Sequence, residues 1–193
     1  MTKKRLSVLI LSVWLVSVLA AFWWLELRHI SKMEPSLLNQ HGVEREVADL
    51  IKAAGSGATD SGLPVVVHFI DPGCDCSDDT YAHLEQLTTA SLSKVSAKLP
   101  EHTNLLYTPD NAGLPETLKH MKRITLNQVP EVTPVVGVWK SDGSLVYLGA
   151  YSTGPSCGSG ADLLREALLN AAGESLPLLD WPIQVSCHCR WRT

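Results

Sequence analysis

Four of the five cysteines come in two tight pairs, Cys74-Asp75-Cys76 and Cys187-His188-Cys189, with Cys157 standing alone between them. A thiolate is both the nucleophile of disulfide exchange and a ligand for soft metals, so these pairs suit redox or metal chemistry. The spacing is unlike that of a small disulfide-stapled scaffold, and the odd total leaves at least one thiol without a partner inside the chain. His68, just upstream of the first pair, adds a group that titrates near neutral pH.

The elements that must position these groups are legible nearby. Residues 65–70 (VVVHFI) are a continuous β-branched and aromatic run, the pattern of a strand buried on both faces of a sheet. Asp71-Pro72-Gly73 supplies turn chemistry, and Tyr81, Leu84, Leu87, Val95 and Leu99 recur at helical spacing until Pro100, which predicts a helix from Cys74 onward. There the helix dipole favours a thiolate by about 0.3–1 kcal/mol, while Asp75, Asp78 and Asp79 oppose it by a similar amount. A bond between Cys74 and Cys76 would close a smaller ring than a Cys-x-x-Cys bridge and be correspondingly easier to reduce.

Further along, Asn104 to Tyr107 reads as a strand and Leu114 to Arg123 as a short helix. Pro134 to Trp139 and Leu145 to Tyr151 read as strands joined by an Asp142-Gly143 hairpin. A last helix begins near Ser159, with Asp162 as its capping-box partner, and runs to Ala172. Upstream, residues 33–42 read as a linker, and Val43, Val47, Leu50, Ile51 and Ala54 lie on one face of a helix. The order predicts an α/β fold, a mixed sheet with flanking helices.

The segment from Val67 to Cys74 resembles the first core strand and active-site turn of the thioredoxin superfamily, and Thr133-Pro134 resembles that family's Thr-Pro step before the hairpin. The resemblance covers roughly residues 60–173. It implies a thioredoxin-like domain in which Pro134 is cis and packs beside Cys74, the attacking thiol. The chain departs from the family in having Ser77 where the second cysteine of Cys-x-x-Cys would stand, the second thiol being Cys76. Cys76 and Cys157 are then the alternative resolving thiols. His68 occupies the place of the family's buried acid, where an imidazole can move protons or simply be packed and hydrogen-bonded; His83 reads as a solvated or core-edge residue. An N-terminal anchor, expected over the uncharged residues 6–25, the Cys-x-Cys turn, a later lone cysteine and a terminal Cys-x-Cys together are similar to an uncharacterised bacterial group of membrane-anchored thioredoxin-like domains.

The tail, residues 174–193, lacks helical periodicity and is expected to lie extended on the domain. It is long enough to return to the active edge. Cys187 and Cys189 there would form a second redox pair, complete a metal site or bond to each other. Residues 6–25 carry no charge and would span about 30 Å as a helix. Residues 1–32 carry a net +4 and the remainder −8, so the positive-inside tendency predicts a single-pass inner-membrane anchor over residues 6–27, after a cytoplasmic stub of residues 1–5. A signal peptide cleaved after Val18-Leu19-Ala20 is the competing reading. Residues 28–59 then form a linker and amphipathic helix, and the domain faces the periplasm or cell exterior. An acidic surface without a basic cluster makes nucleic acid a poor partner.

These features point to a thiol–disulfide oxidoreductase acting on protein thiols or disulfides, with no cofactor and with Cys74, Cys76, Cys157, His68 and Pro134 at its site. The alternative is a copper or zinc module with Cys74, Cys76, Cys187 and Cys189 as ligands. A third class is a binding domain that keeps the fold without turnover.

Overall fold

The computed structural model describes residues 3–24, 30–54, 62–92, 99–109, 113–154, 159–173 and 184–191. In chain order these form α1 (Lys3–Phe22), β1 (Ile30–Met33), a 3-10 turn (Pro35–Leu38), α2 (Gln40–Ala54), β2 (Val65–Phe69), α3 (Ser77–Leu92) and β3 (Thr103–Tyr107). They continue with α4 (Glu116–Lys119), β4 (Lys122–Arg123), β5 (Val132–Thr133), β6 (Val135–Trp139), β7 (Leu145–Gly149), α5 (Leu163–Ala171), β8 (Gln184–Cys187) and β9 (Cys189–Arg190).

The apolar run at β2 is buried at every residue because it lies in the middle of a five-stranded sheet ordered β4-β3-β2-β6-β7. β2 runs parallel to β3 and antiparallel to β6, so the sheet is mixed. Alternate side chains feed two cores. Val65, Val67 and Phe69 pack with Val43, Val47 and Ile51 of α2, while Val66 and Ile70 pack with Leu84 of α3 and Leu164, Ala167 and Leu168 of α5. This α/β arrangement is compatible with a thioredoxin-like fold.

The hairpin follows the expected turn chemistry: Ser144 N–H donates to Asp142 Oδ1 at 2.8 Å, and Gly143 takes φ +87°, a conformation glycine adopts without penalty. Other elements differ from the sequence reading. The helix expected from Leu114 to Arg123 is confined to α4, because the chain leaves it to add Lys122 and Arg123 as an edge strand opposite Leu105 and Leu106. Their charged side chains stay exposed, as suits an edge. Asp162 is itself the N-cap of α5, accepting from Arg165 N–H at 2.9 Å, rather than a capping partner of Ser159. The 33–42 linker holds the end of β1, the 3-10 turn and the start of α2. The tail forms ladders: β8 pairs with β1 and β9 with β5, both antiparallel.

α1 leaves its apolar side chains exposed, Leu11 and Val16 at 65% each. Among the described residues no helix is long and apolar enough to cross a membrane. The anchor expected over residues 6–27 therefore rests on the charge and hydropathy of the sequence.

Gly137, opposite Val67 in β6, is required by packing. A Cβ there would overlap the indole of Trp139, which is fully buried against the α2 core. Gly137→Ala should therefore cost about 1–3 kcal/mol in denaturant unfolding; an unchanged midpoint would show that Trp139 is seated elsewhere.

Candidate functional site

The sheet delivers the first cysteine pair to its edge through a turn held by backbone bonds and by the side chains of Asp71, Ser77, Thr80 and Thr133. After β2, Cys74 N–H donates to Asp71 C=O at 3.1 Å and Ser77 N–H to Cys74 C=O at 2.9 Å, so α3 begins at Ser77. The helix-start position consequently belongs to Cys76, whose carbonyl receives Thr80 Oγ1 at 3.2 Å, and Cys74 lies two residues ahead of it. Asp71 Oδ1 accepts from Gly73 N–H at 2.8 Å, and Ser77 Oγ donates to Asp71 C=O at 2.6 Å. Cys74 and Cys76 are buried, whereas Asp75 between them is exposed.

The loop carrying β5 is tied to this turn. Thr133 Oγ1 accepts from Asp71 N–H at 2.9 Å and donates to Phe69 C=O at 3.2 Å, and Thr133-Pro134 is cis. Thr133 O lies 3.5 Å from Cys74 Sγ. On the far side, Glu46 of α2 accepts from Asn127 N–H at 2.8 Å and Gln128 N–H at 2.6 Å. Burial raises the Glu46 pKa, but these bonds and that of the Asn127 side chain outweigh it, and the net shift is downward.

Onto this loop the tail lays its last strand. Cys189 stands opposite Thr133 and Arg190 opposite Val132, while Cys187 stands opposite Ile30 of β1. Trp191 locks the end: its Nε1–H donates to Pro130 C=O at 2.6 Å and its ring meets Tyr107 edge-on at 5.6 Å. His188, buried between the two cysteines, has Nδ1 3.2 Å from Ser186 C=O. Burial lowers its pKa, against the effect of that bond.

The two pairs are bonded across, not within themselves. Cys74 is joined to Cys189 and Cys76 to Cys187, with Cα separations of 5.9 and 5.6 Å, inside the ordinary range for disulfides. The small Cys74–Cys76 ring considered from sequence is replaced by these cross-links, because the β9–β5 and β8–β1 ladders bring each tail sulfur against a different turn sulfur. Sulfur atoms of Cys74, Cys76 and Cys189 all lie within 4.8 Å of one another.

His68 faces away from α2, among the residues packed by α3 and α5. Its Nδ1 is 2.8 Å from Tyr151 Oη and its Nε2 3.0 Å from Asn104 Oδ1. Since an amide oxygen only accepts, Nε2 carries the proton and the tyrosine hydroxyl donates to Nδ1. Burial pushes the imidazole down to about 4, against the bond to Asn104, with His102 adding a smaller push in the same direction. Both nitrogens are therefore engaged in the neutral ring. A cavity of about 440 Å³ beside His68, lined by Leu84, Leu118 and Leu164 among others, has none of the described cysteines in its wall.

Of the residues singled out from sequence, the structure gathers Cys74, Cys76, Cys187 and Cys189 beside the Thr133-Pro134 step. His68 is hydrogen-bonded within the sheet's other core, and Cys157 lies outside the described residues. His83 is more buried than its position in the sequence suggests, at 6% exposure. Its Nε2 is 3.6 Å from Asp162 Oδ1, too long for a hydrogen bond. Sequence reading passed over Thr133 as a hydrogen-bonding clamp, Tyr151 and Asn104 as the partners of His68, and Trp191 as the tail's lock. Only Trp191 had a signal, a large aromatic two residues beyond a cysteine.

A family model described as "Domain of unknown function (DUF6436)" matches residues 43–191. No curated protein matches the chain, and no solved structure does.

The two bonds are not independent. The first to close spans a sequence separation of 115 or 111 residues and constrains the unfolded chain by about 5 kcal/mol. The second then closes a ring of only residues 74–76 and 187–189, for about 2 kcal/mol. Replacing both cysteines of either bond by serine should thus cost about 2 kcal/mol, and replacing all four about 7 kcal/mol. Denaturant unfolding of the three variants checks this, and additive losses would contradict shared loop closure.

His68 also sets a pH dependence. The folded ring resists a proton that the unfolded chain accepts below its ordinary pKa of 6.5. Its contribution is complete above pH 6.5 and is lost as pH falls from there through about 4, in all about 3 kcal/mol. His68→Gln should flatten the fall in stability between pH 7 and 4.5 relative to wild type; parallel curves would show that the ring protonates freely in the folded state.

Proposed function

The chain belongs to the family described as a domain of unknown function (DUF6436), whose model brings no activity with it, and we propose from the site's chemistry that the protein is a thiol–disulfide oxidoreductase on a thioredoxin-like domain. The observation that carries this reading is the Cys74–Cys189 bond at the strand-to-helix turn, formed beside Thr133. In the reduced protein Cys74 attacks one sulfur of a substrate disulfide and releases the other as a thiol, leaving a mixed disulfide. Cys189, held opposite Thr133, then attacks Cys74 Sγ, releases the second substrate thiol and regenerates the Cys74–Cys189 bond. Two electrons pass to the substrate in one cycle, and the Cys76–Cys187 pair provides two more.

The way the tail reaches Cys74 supports protein substrates. β9 presents its cysteine as an extended segment on the open side of β5, and an extended peptide of another protein would use the same backbone groups. Pro134 is then a positioning residue, since its loop sets where that segment lies. In this reading Cys189 takes the resolving role that sequence spacing offered to Cys76 or Cys157. We infer from the sequence that the N-terminal apolar segment anchors the domain at the outer face of the inner membrane, a reading supported by the charge step across residues 3–28 and by cysteine chemistry suited to an oxidising compartment.

The test is reduction of insulin disulfides by the reduced full-length chain. Cys74→Ser should abolish the activity, and Cys189→Ser should accumulate a Cys74–insulin mixed disulfide visible on non-reducing gels. Full exchange by Cys74→Ser, or unaltered turnover by Cys189→Ser, contradicts the assignment.

A further inference from the structure

We propose that the four sulfurs at the turn–tail junction form, when reduced, a closed tetrahedral thiolate site for Zn²⁺, so that metal and disulfides occupy the same cysteines in alternation. This goes beyond the exchange reading and does not require it: only that both bonds can be reduced.

The argument begins with placement. Reduction of the two disulfides by a dithiol reductant transfers four electrons and four protons to the protein and leaves Cys74, Cys76, Cys187 and Cys189 as thiols, while the reductant becomes disulfide. Nothing in the backbone obliges the tail to leave. β9 remains paired with β5, β8 with β1, and Trp191 remains bonded to Pro130. Two Cys-x-Cys pairs therefore stay face to face.

Size comes next. Zinc–sulfur bonds of about 2.3 Å in a tetrahedron put the sulfurs about 3.8 Å apart. Cys74, Cys76 and Cys189 already place theirs within 4.8 Å of one another, and Cys187, the fourth, is the bonded partner of Cys76. The site then requires each former bond to open to the tetrahedral edge and Cys187, which lies outside that close group of three, to turn inward. Zn²⁺ displaces the thiol protons as it binds.

Ligand number chooses the metal class. Two opposed thiolate pairs give four equivalent soft donors, the set of a closed structural zinc site, with no position left for water. Cys74 and Cys76 are buried, which shields the centre from competing ligands. A zinc-loaded chain has no free thiolate at the turn, so Zn²⁺ holds the reduced protein inactive until it is removed or the cysteines are oxidised.

The experiment uses the full-length chain, reduced with dithiothreitol and desalted anaerobically, with Co²⁺ as spectroscopic probe and Zn²⁺ in competition with a chromophoric chelator. The expected result is one ion per reduced chain, with thiolate-to-cobalt charge transfer and intense tetrahedral d–d bands that Zn²⁺ abolishes, and no uptake by the oxidised chain. Cys187→Ser should weaken Zn²⁺ binding by more than the roughly 10–100-fold that loss of an outer-shell partner costs. His188→Ala, which keeps all four sulfurs, should bind as wild type. Failure of the reduced wild type to take up metal, equal affinity in Cys187→Ser, or loss of binding in His188→Ala overturns the proposal. Insulin reduction measured with chelator present separates the two readings: exchange without zinc uptake sinks this one alone, and zinc uptake without exchange sinks the oxidoreductase alone.

Discussion

The bond between Cys74 and Cys189 encloses the chain from the end of β2 to the last strand, and the closing of that loop at Thr133 is the constraint on which the rest depends. Closure requires three things to meet at one edge: a turn that presents Cys74, a loop that turns back beside it, and a tail that returns. The first comes from the burial of β2, which ends the sheet where Asp71 begins the turn. Thr133 provides the second, its hydroxyl joining Asp71 N–H and Phe69 C=O. Backbone pairing provides the third, with Trp191 as its lock. Each of these is made by contacts other than the sulfur bonds, which add to them across the same edge.

The two faces of the sheet divide the work. The α2 side carries the larger apolar core and, through Glu46, holds the loop that leads to β5. On the opposite side a polar group is buried in an apolar setting, and His68 is accommodated only because Tyr151 and Asn104 saturate both of its nitrogens. An imidazole so held is a structural element of the core at neutral pH.

Much of this was legible in the sequence because it depends on local patterns. Residues 65–70 announce a doubly buried strand by composition, Asp142-Gly143 announces a hairpin by turn chemistry, and the cis Thr133-Pro134 beside Cys74 follows from the thioredoxin resemblance. The tail was not legible for physical reasons. Val185, Cys187 and Cys189 do alternate with Gln184, Ser186, His188 and Arg190 as in a strand, but alternation does not name a partner, and β1 and β5 are distant in sequence. Four cysteines also permit three pairings, and their spacing does not select one. The same holds for Lys122 and Arg123, whose strand pairing depends on the neighbouring edge of β3 and leaves no mark in their own composition.

The most direct test of the account is the disulfide map of the oxidised full-length protein. Cleavage at the amino side of Asp75 separates Cys74 from Cys76, and electron-transfer fragmentation of the non-reduced peptides then distinguishes Cys187 from Cys189. The account predicts that both halves of the turn remain attached to the tail peptide, Cys74 to Cys189 and Cys76 to Cys187. A turn peptide held together by its own Cys74–Cys76 bond, with the tail released, would contradict it.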